Sequence, residues 1–230
     1  MDPDATLLIM LEEIAMTRTI LKFTTGLLLL ASTQAFAGEQ SWEVTITNLT
    51  KGQLFTPLLL VTHSSDISLF TAGEPALPEL ATIAESGSTA ALEALLAGIP
   101  DLVHSTVTAG GPLFAGETIT LEITGTGHFD RLSFAGMLVP TNDTFVGLDS
   151  LALPKSSTTV MVPAYDAGSE LNDELCDNIP GPQCGDMDNS GAAGEGYVYI
   201  GNGIRGTGDL DSGAYDWNNP VARVEVRRLK

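Results

Sequence analysis

Trp42, Val44 and Ile46 alternate with Glu43, Thr45 and Thr47, which is the period of a half-buried strand. Leu58 to Val61 is a solid apolar run and reads as a second, more buried strand. The pattern then changes. Leu80, Ile83 and Ala84 recur at helical spacing, and after Gly87 so do Ala91, Leu92, Leu95 and Leu96. Ser88 is a candidate N-cap for the second helix, and Gly98 with Pro100 stops it. Strand character returns in Ile119, Leu121 and Ile123, in Leu132 to Leu138, in Thr158 to Val162 and in Tyr197 to Ile200. At the end of the chain Ala222, Val224 and Val226 face one way and Arg223, Glu225 and Arg227 the other. About seven or eight strands between Gly, Pro, Asn and Asp turns predict an all-β antiparallel sandwich with a short helical insertion. The first and last strands are well formed, so both are expected in the sheets. The glycine-rich stretch from Gly185 to Gly213 is expected to be an ordered pair of loops, and no internal repeat is visible.

Residues 1–37 carry a different pattern. Arg18 and Lys22 precede an apolar stretch at Leu27 to Ala31, and Ala35-Phe36-Ala37 supplies a small-x-small cleavage pattern. An upstream extension plus signal peptide is therefore expected over 1–37, with the domain over 38–230 and Met16 a plausible start. The apolar run is too short and too broken by Thr and Gly to span a bilayer. The product would be secreted or periplasmic. Cleavage would leave about 190 residues, enough for one domain with a real core.

Charge narrows the function further. The chain has 29 acidic and 10 basic residues, a formal net charge of −19. Such a field repels nucleic acid and anionic membranes and suits cations or basic partners. Cys176 and Cys184 are the only cysteines. In an exported chain so close a pair is expected to be a disulfide, contributing about 2.5 kcal/mol on a chain-entropy estimate. A metal–thiolate pair would lack partner cysteines and a nearby histidine.

The acids are unevenly spread. Between Lys155 and Arg205 stand eight carboxylates and no cation: Asp166, Glu170, Asp173, Glu174, Asp177, Asp186, Asp188 and Glu195. Crowded carboxylates need a counter-charge, and hard oxygen ligands favour Ca²⁺. Pro140 ends one strand before Asp143, and Pro163 ends another before Asp166. Asp166 and Glu170 lie four apart across a Gly-containing turn, so Asp143, Asp166 and Glu170 could form a three-carboxylate cup. The bland alternative is turn-formers on a solvated surface. Asp186-Met187-Asp188-Asn189-Ser190-Gly191 starts like an EF-hand loop, but Tyr197 stands where Glu is needed. A second, weak calcium site there competes with a plain turn.

Other motifs carry less. Gly201-Asn202-Gly203-Ile204-Arg205-Gly206 matches the dinucleotide fingerprint, yet the next residues, Thr207 to Gly213, cannot form the helix that pyrophosphate requires. His63, His104 and His128 sit in no recognisable catalytic motif, and His63 near Ser64 and Asp66 reads as a polar cluster at a strand end. Asn48-Leu49-Thr50 and Asn142-Asp143-Thr144 match the N-glycosylation pattern, which arises often by chance. Trp217, among Asp209, Asp211 and Asp216, is either a recognition aromatic or an anchor for the closing strand.

The order of blocks also carries a resemblance. Thr62-His63-Ser64, Leu69-Phe70-Thr71-Ala72-Gly73, Asn142-Asp143-Thr144-Phe145-Val146-Gly147, Tyr165-Asp166-Ala167-Gly168-Ser169-Glu170 and Asn219-Pro220-Val221-Ala222-Arg223-Val224 together resemble the spondin domain, from about Trp42 to Arg227. That resemblance implies a C2-like sandwich binding calcium through loops at one edge, with Asp143, Asp166 and Glu170 as the metal ligands. Glu170 stands where the animal pattern has aspartate, and Phe145 is displaced from an immediate Trp.

These readings lead to a non-enzymatic, exported calcium-binding module for an extracellular or cell-envelope protein or glycan. Nucleic acid and direct membrane binding are not expected. The rival is a secreted hydrolase, metal-assisted or built on Ser and His, which requires a pocket holding His63 or His128 beside the acids.

Overall fold

The computed structural model describes residues 38–185 and 191–230. The expected signal peptide, and the Asp186–Ser190 part of the EF-hand-like segment, lie outside the described residues. The described chain forms two antiparallel sheets with eleven strands among them, more than the pattern predicts.

The first sheet is built from the chain's two ends. β1 (Gln40–Asn48) lies between β5 (Thr118–Gly125) and β11 (Ala222–Arg228), and β8 (Ser157–Val162) flanks β11. β1 and β11 pair from Trp42↔Arg228 to Asn48↔Ala222, so both terminal strands are tied in as expected. Alternation does the sorting here. Val44, Ile46, Ile123, Val224 and Val226 point inward and are fully or nearly fully buried. Outward-facing Thr45 and Thr47 bond across to Thr120 and Thr118 at 3.1 and 3.0 Å.

The second sheet has the order β10 (Tyr199–Ile200), β9 (Ala164–Asp166), β7 (Thr144–Ala152), β6 (Arg131–Val139), β3 (Leu59–His63) and β4 (Val103–Thr108). A short β2 (Leu54–Phe55) also pairs with β6. β3 and most of β6 are buried at every position, because both faces of this sheet are covered. Leu60, Leu132, Phe134 and Val146 pack in the core between the sheets. Leu59, Val61, Ala135 and Phe145 pack under the helical insertion.

That insertion is α1 (Pro78–Ser86) and α2 (Ala90–Ala97). Each of Leu80, Ile83, Leu92 and Leu96, buried in that second core, contributes about 1.5–3 kcal/mol. Gly87, in the left-handed region at φ 73°, closes α1 with its N–H on the Ile83 carbonyl. The residue preceding α2 is Thr89 rather than Ser88, and its hydroxyl donates to Glu93 instead of accepting a backbone amide. Pattern reading missed β2, β4, β7 and β9. β9 is too short to show a period, and β7 begins with a run buried on both faces.

Candidate metal centre

Strand pairing, not loop chance, gathers the acids. In the register of β7 and β9, Thr144 lies opposite Asp166, and Tyr199 of β10 flanks Asp166 on its other side. Asp143, one residue before β7, is thereby brought beside Asp166. Asp166 belongs to the strand itself and not to the loop the sequence suggested.

The following turn folds over Asp143. The Asp143 carbonyl accepts from the Ala167 N–H at 3.0 Å. One carboxylate oxygen, Oδ2, accepts from Ser169 N–H at 2.8 Å, Glu170 N–H at 2.9 Å and the Ser169 hydroxyl at 3.2 Å. Gly168 makes this wrap possible. Its φ is 65°, and a Cβ there would collide with the Tyr197 backbone. The other oxygen, Asp143 Oδ1, is buried with no hydrogen-bond partner among the described residues.

Asp166 is better served. It accepts from Gly168 N–H at 2.8 Å and Asn172 Nδ2 at 2.8 Å. Glu170 is 2 % exposed and accepts from the Gly191 N–H at 2.7 Å. Burial, and then the charge of Asp166, push the Asp143 carboxyl up to about 7. Burial also raises Asp166, against the pull of its Asn172 and Gly168 hydrogen bonds. Burial chiefly lifts the Tyr199 hydroxyl above its ordinary range, with the Asp166 charge next.

Several other acids at this end have found neutralising partners that the sequence did not reveal. Glu174 is 4 % exposed and takes the N–H groups of Arg205 at 2.6 Å and Thr207 at 2.7 Å. Its backbone sits at φ 57°, a strained conformation held by that clamp. Asp173 accepts from the side chains of Asn142 and Asn178, and Asp209 from Cys176 N–H at 2.9 Å. Asp216 accepts from Ile204 N–H at 3.1 Å. Two amides of the Gly201–Gly206 loop, which in a nucleotide site would cradle phosphate, are thus filled from within, Ile204 by Asp216 and Arg205 by Glu174. Backbone N–H groups thus supply part of the counter-charge in the acidic stretch, at Asp166, Glu170 and Glu174.

Among the described residues no group of three or more His, Cys, Asp or Glu side chains is arranged to hold a metal ion, so Asp143, Asp166 and Glu170 do not form the three-carboxylate cup as they stand. Asp143, Asp166 and Glu170 each spend an oxygen on a backbone amide, and Asp143 Oδ1 has no donor among the described residues. The chemistry of the Asp143 and Asp166 pair suits a hard cation: two buried carboxylates, the charge of one raising the other, with no cationic side chain bonded to either among the described residues. Asp166 also lines a small cleft of about 10 Å³ with Asn142, Asn172, Glu174, Tyr199 and Trp217, room for one water-sized group; Asp143 and Glu170 are not in its wall.

The remaining expectations sort plainly. Cys176 and Cys184 are disulfide-bonded. Trp217 is 7 % exposed and packs in the main core, so it anchors the closing strand instead of offering a recognition surface. Asn48 and Asn142 are buried and hydrogen-bonded, Asn48 to the Gln53 and Leu113 carbonyls, so neither is an accessible glycosylation acceptor. His63 is fully buried between the Ser64 carbonyl and the Ser133 hydroxyl, each at 2.7 Å. Ser133 in turn donates to Asp149 at 3.2 Å. This Asp–Ser–His chain holds Ser, not His, against the carboxylate, so it cannot orient an imidazole as a general base does. The cleft beside Asp166 contains no histidine.

A family model described as Spondin_N matches residues 47–172, a little over half of the chain, and the chain belongs to that family. The match contains Asp143, Asp166 and Glu170 and ends at Asn172. The fold continues past it, since β11 completes the first sheet between β1 and β8. Comparison with curated proteins gives no match.

Proposed function

We propose that this chain is an exported calcium-binding module that uses the ion to fix one end of its sandwich for an extracellular or cell-envelope partner, a protein or glycan. Asp143, Asp166 and Glu170 would hold the ion, which when bound supplies the positive charge their cluster lacks. The observation that carries this reading is Asp143: a fully buried carboxylate with one oxygen saturated by amides and the other without a donor. A buried anion in that state is costly, and the cost is removed by a cation or by a proton. Family membership and the disulfide agree with an extracellular setting. Among the described residues no helix is long and apolar enough to cross a membrane.

Isothermal titration with calcium tests the reading. A saturable heat that Asp166→Asn weakens more than Asp186→Asn is expected. No heat at millimolar calcium would leave the proton as the group that satisfies Asp143 and would remove the metal from the function. The reverse order of the two variants would move the site to the glycine loop.

A further inference from the structure

Opposite the acidic end, the same strands finish in a different environment. β1 and β11 run between the two ends, so Gln40 and Arg228 lie at the far end from Asn48 and Ala222. The turn between β7 and β8, residues 153–156, arrives there too. Two adjoining cavities of about 340 Å³ each open at this end and share Gln40, Lys155 and Arg228. Trp42, Phe129 and Leu153 line one of them, and Lys230 lines the other.

The chain has 10 bases against 29 acids. Arg227 is paired, 2.8 Å from Glu43, and Arg131 lies 3.5 Å from Asp130. Three other cations are set apart by the cavity they share. Lys155, Arg228 and Lys230 form no ion pair among the described residues, although Asp130 lines the cavity that Lys155 and Arg228 share. The walls are rigid. Trp42 Nε1 donates to the Pro154 carbonyl at 2.9 Å, Leu153 N–H to the Asp130 carbonyl at 2.8 Å, and Arg228 N–H to the Ser156 carbonyl at 2.7 Å. Unpaired cations thus stand on fixed backbone beside a half-buried aromatic ring, in a cavity of ordinary small-molecule size.

We propose that this cavity binds a short acidic sugar, of the uronic-acid type. Its carboxylate would pair with Lys155 and Arg228, its hydroxyls would meet the Gln40 amide, and the apolar C–H face of a ring would lie on Phe129 and Leu153. The alternatives fit less well. A polyanion would carry many charges into the field of a strongly acidic protein, whereas one carboxylate feels mainly the local cations once salt screens beyond about 8 Å. A fatty acid needs an enclosed tunnel, and this cavity is open. The site is separate from the calcium reading and does not rest on it.

Digalacturonate is the probe, titrated into the full protein by NMR and calorimetry, once in calcium and once in chelator. Saturable binding is expected in both conditions, weakened at least tenfold in a Lys155→Gln, Arg228→Gln double variant. Since both side chains are exposed, that variant should keep the wild-type melting temperature, which separates lost binding from lost fold. A neutral disaccharide should bind at least tenfold more weakly. No saturation by digalacturonate, or equal affinity in the double variant, overturns the site. A di-glutamate peptide binding more tightly than the sugar overturns the sugar assignment. Binding that vanishes in chelator alone would place the ligand at the acidic end.

Discussion

The two ends of the sandwich are built on the same strands and treat charge in opposite ways. At the end holding Asp143 and Asp166, charge is dense and partly consumed: Glu174, Asp173, Asp209 and Asp216 each close on amides or amide side chains. At the other end charge is mixed, and Lys155, Arg228 and Lys230 form no ion pair among the described residues. Charge density is therefore a poor guide to function in this chain. Unsatisfied charge placed at a cavity or in a buried site is the better one: Asp143 Oδ1 has no donor among the described residues at one end, and Lys155 and Arg228 line a cavity without an ion pair at the other.

The comparison breaks most easily at Glu174. If its carboxylate is structural, Glu174→Ala frees two backbone amides and empties a buried clamp. A loss of about 3 kcal/mol is expected in urea unfolding, from two charge-assisted hydrogen bonds at roughly 1.5–3 kcal/mol each. A loss below about 0.5 kcal/mol would mean that Glu174 is not consumed and belongs with the candidate ligands.

The next effect concerns calcium. A hundredfold excess over Kd stabilises by about 2.7 kcal/mol, which for a domain of this size is roughly 5–10 °C in Tm. Asp143→Asn should abolish that shift in differential scanning calorimetry. Asparagine keeps an oxygen for the Ser169 and Glu170 amides, so the variant should fold. A full calcium shift in the variant would remove Asp143 from the site.

How much of this was legible beforehand depends on what kind of signal each feature leaves. Trp42, Val44 and Ile46, like Val224 and Val226, face one core and solvent, so their alternation printed the first sheet in the sequence. β6 and the start of β7 face two cores, so their apolar runs carry no period and β7 was missed. The acids were visible as letters, and so was the pairing of Cys176 with Cys184. Their neutralisation was not, because the partners are backbone N–H groups far along the chain: Arg205 and Thr207 for Glu174, Ile204 for Asp216. Every residue but proline owns such a donor, so no residue type announces it. The cationic cavity was equally hidden, since Lys155 and Arg228 meet only through the register of β8 with β11.

A smaller expected effect uses pH to ask whether Asp143 is truly unsatisfied. Its carboxyl is raised to about 7 from an ordinary 3.8, so ionising it costs folding free energy in the metal-free protein. The sign is set by that direction: this contribution is fully present below about pH 4 and is lost as pH rises through 7. In chelator, Tm should therefore climb as pH is lowered from 8 to 5, and Asp143→Asn should flatten that climb. Calcium, competing with the proton, should flatten it too. The same slope in wild type and variant would assign the pH response to general repulsion in an acidic chain, and Asp143 would lose its special standing.

The smallest expected effect lies at the cationic end, and its smallness is the point. Replacing Lys155 and Arg228 by glutamine removes two exposed charges that pair with nothing described. Stability should change by less than about 0.5 kcal/mol, the ordinary scale of surface substitutions. Were the double variant to lose about 2 kcal/mol or more in urea unfolding, the cations would be satisfied after all, by a partner such as Asp130 reached in solution. The two ends would then be alike, each spending its charges on its own fold, and the difference between them would rest on Asp143 alone.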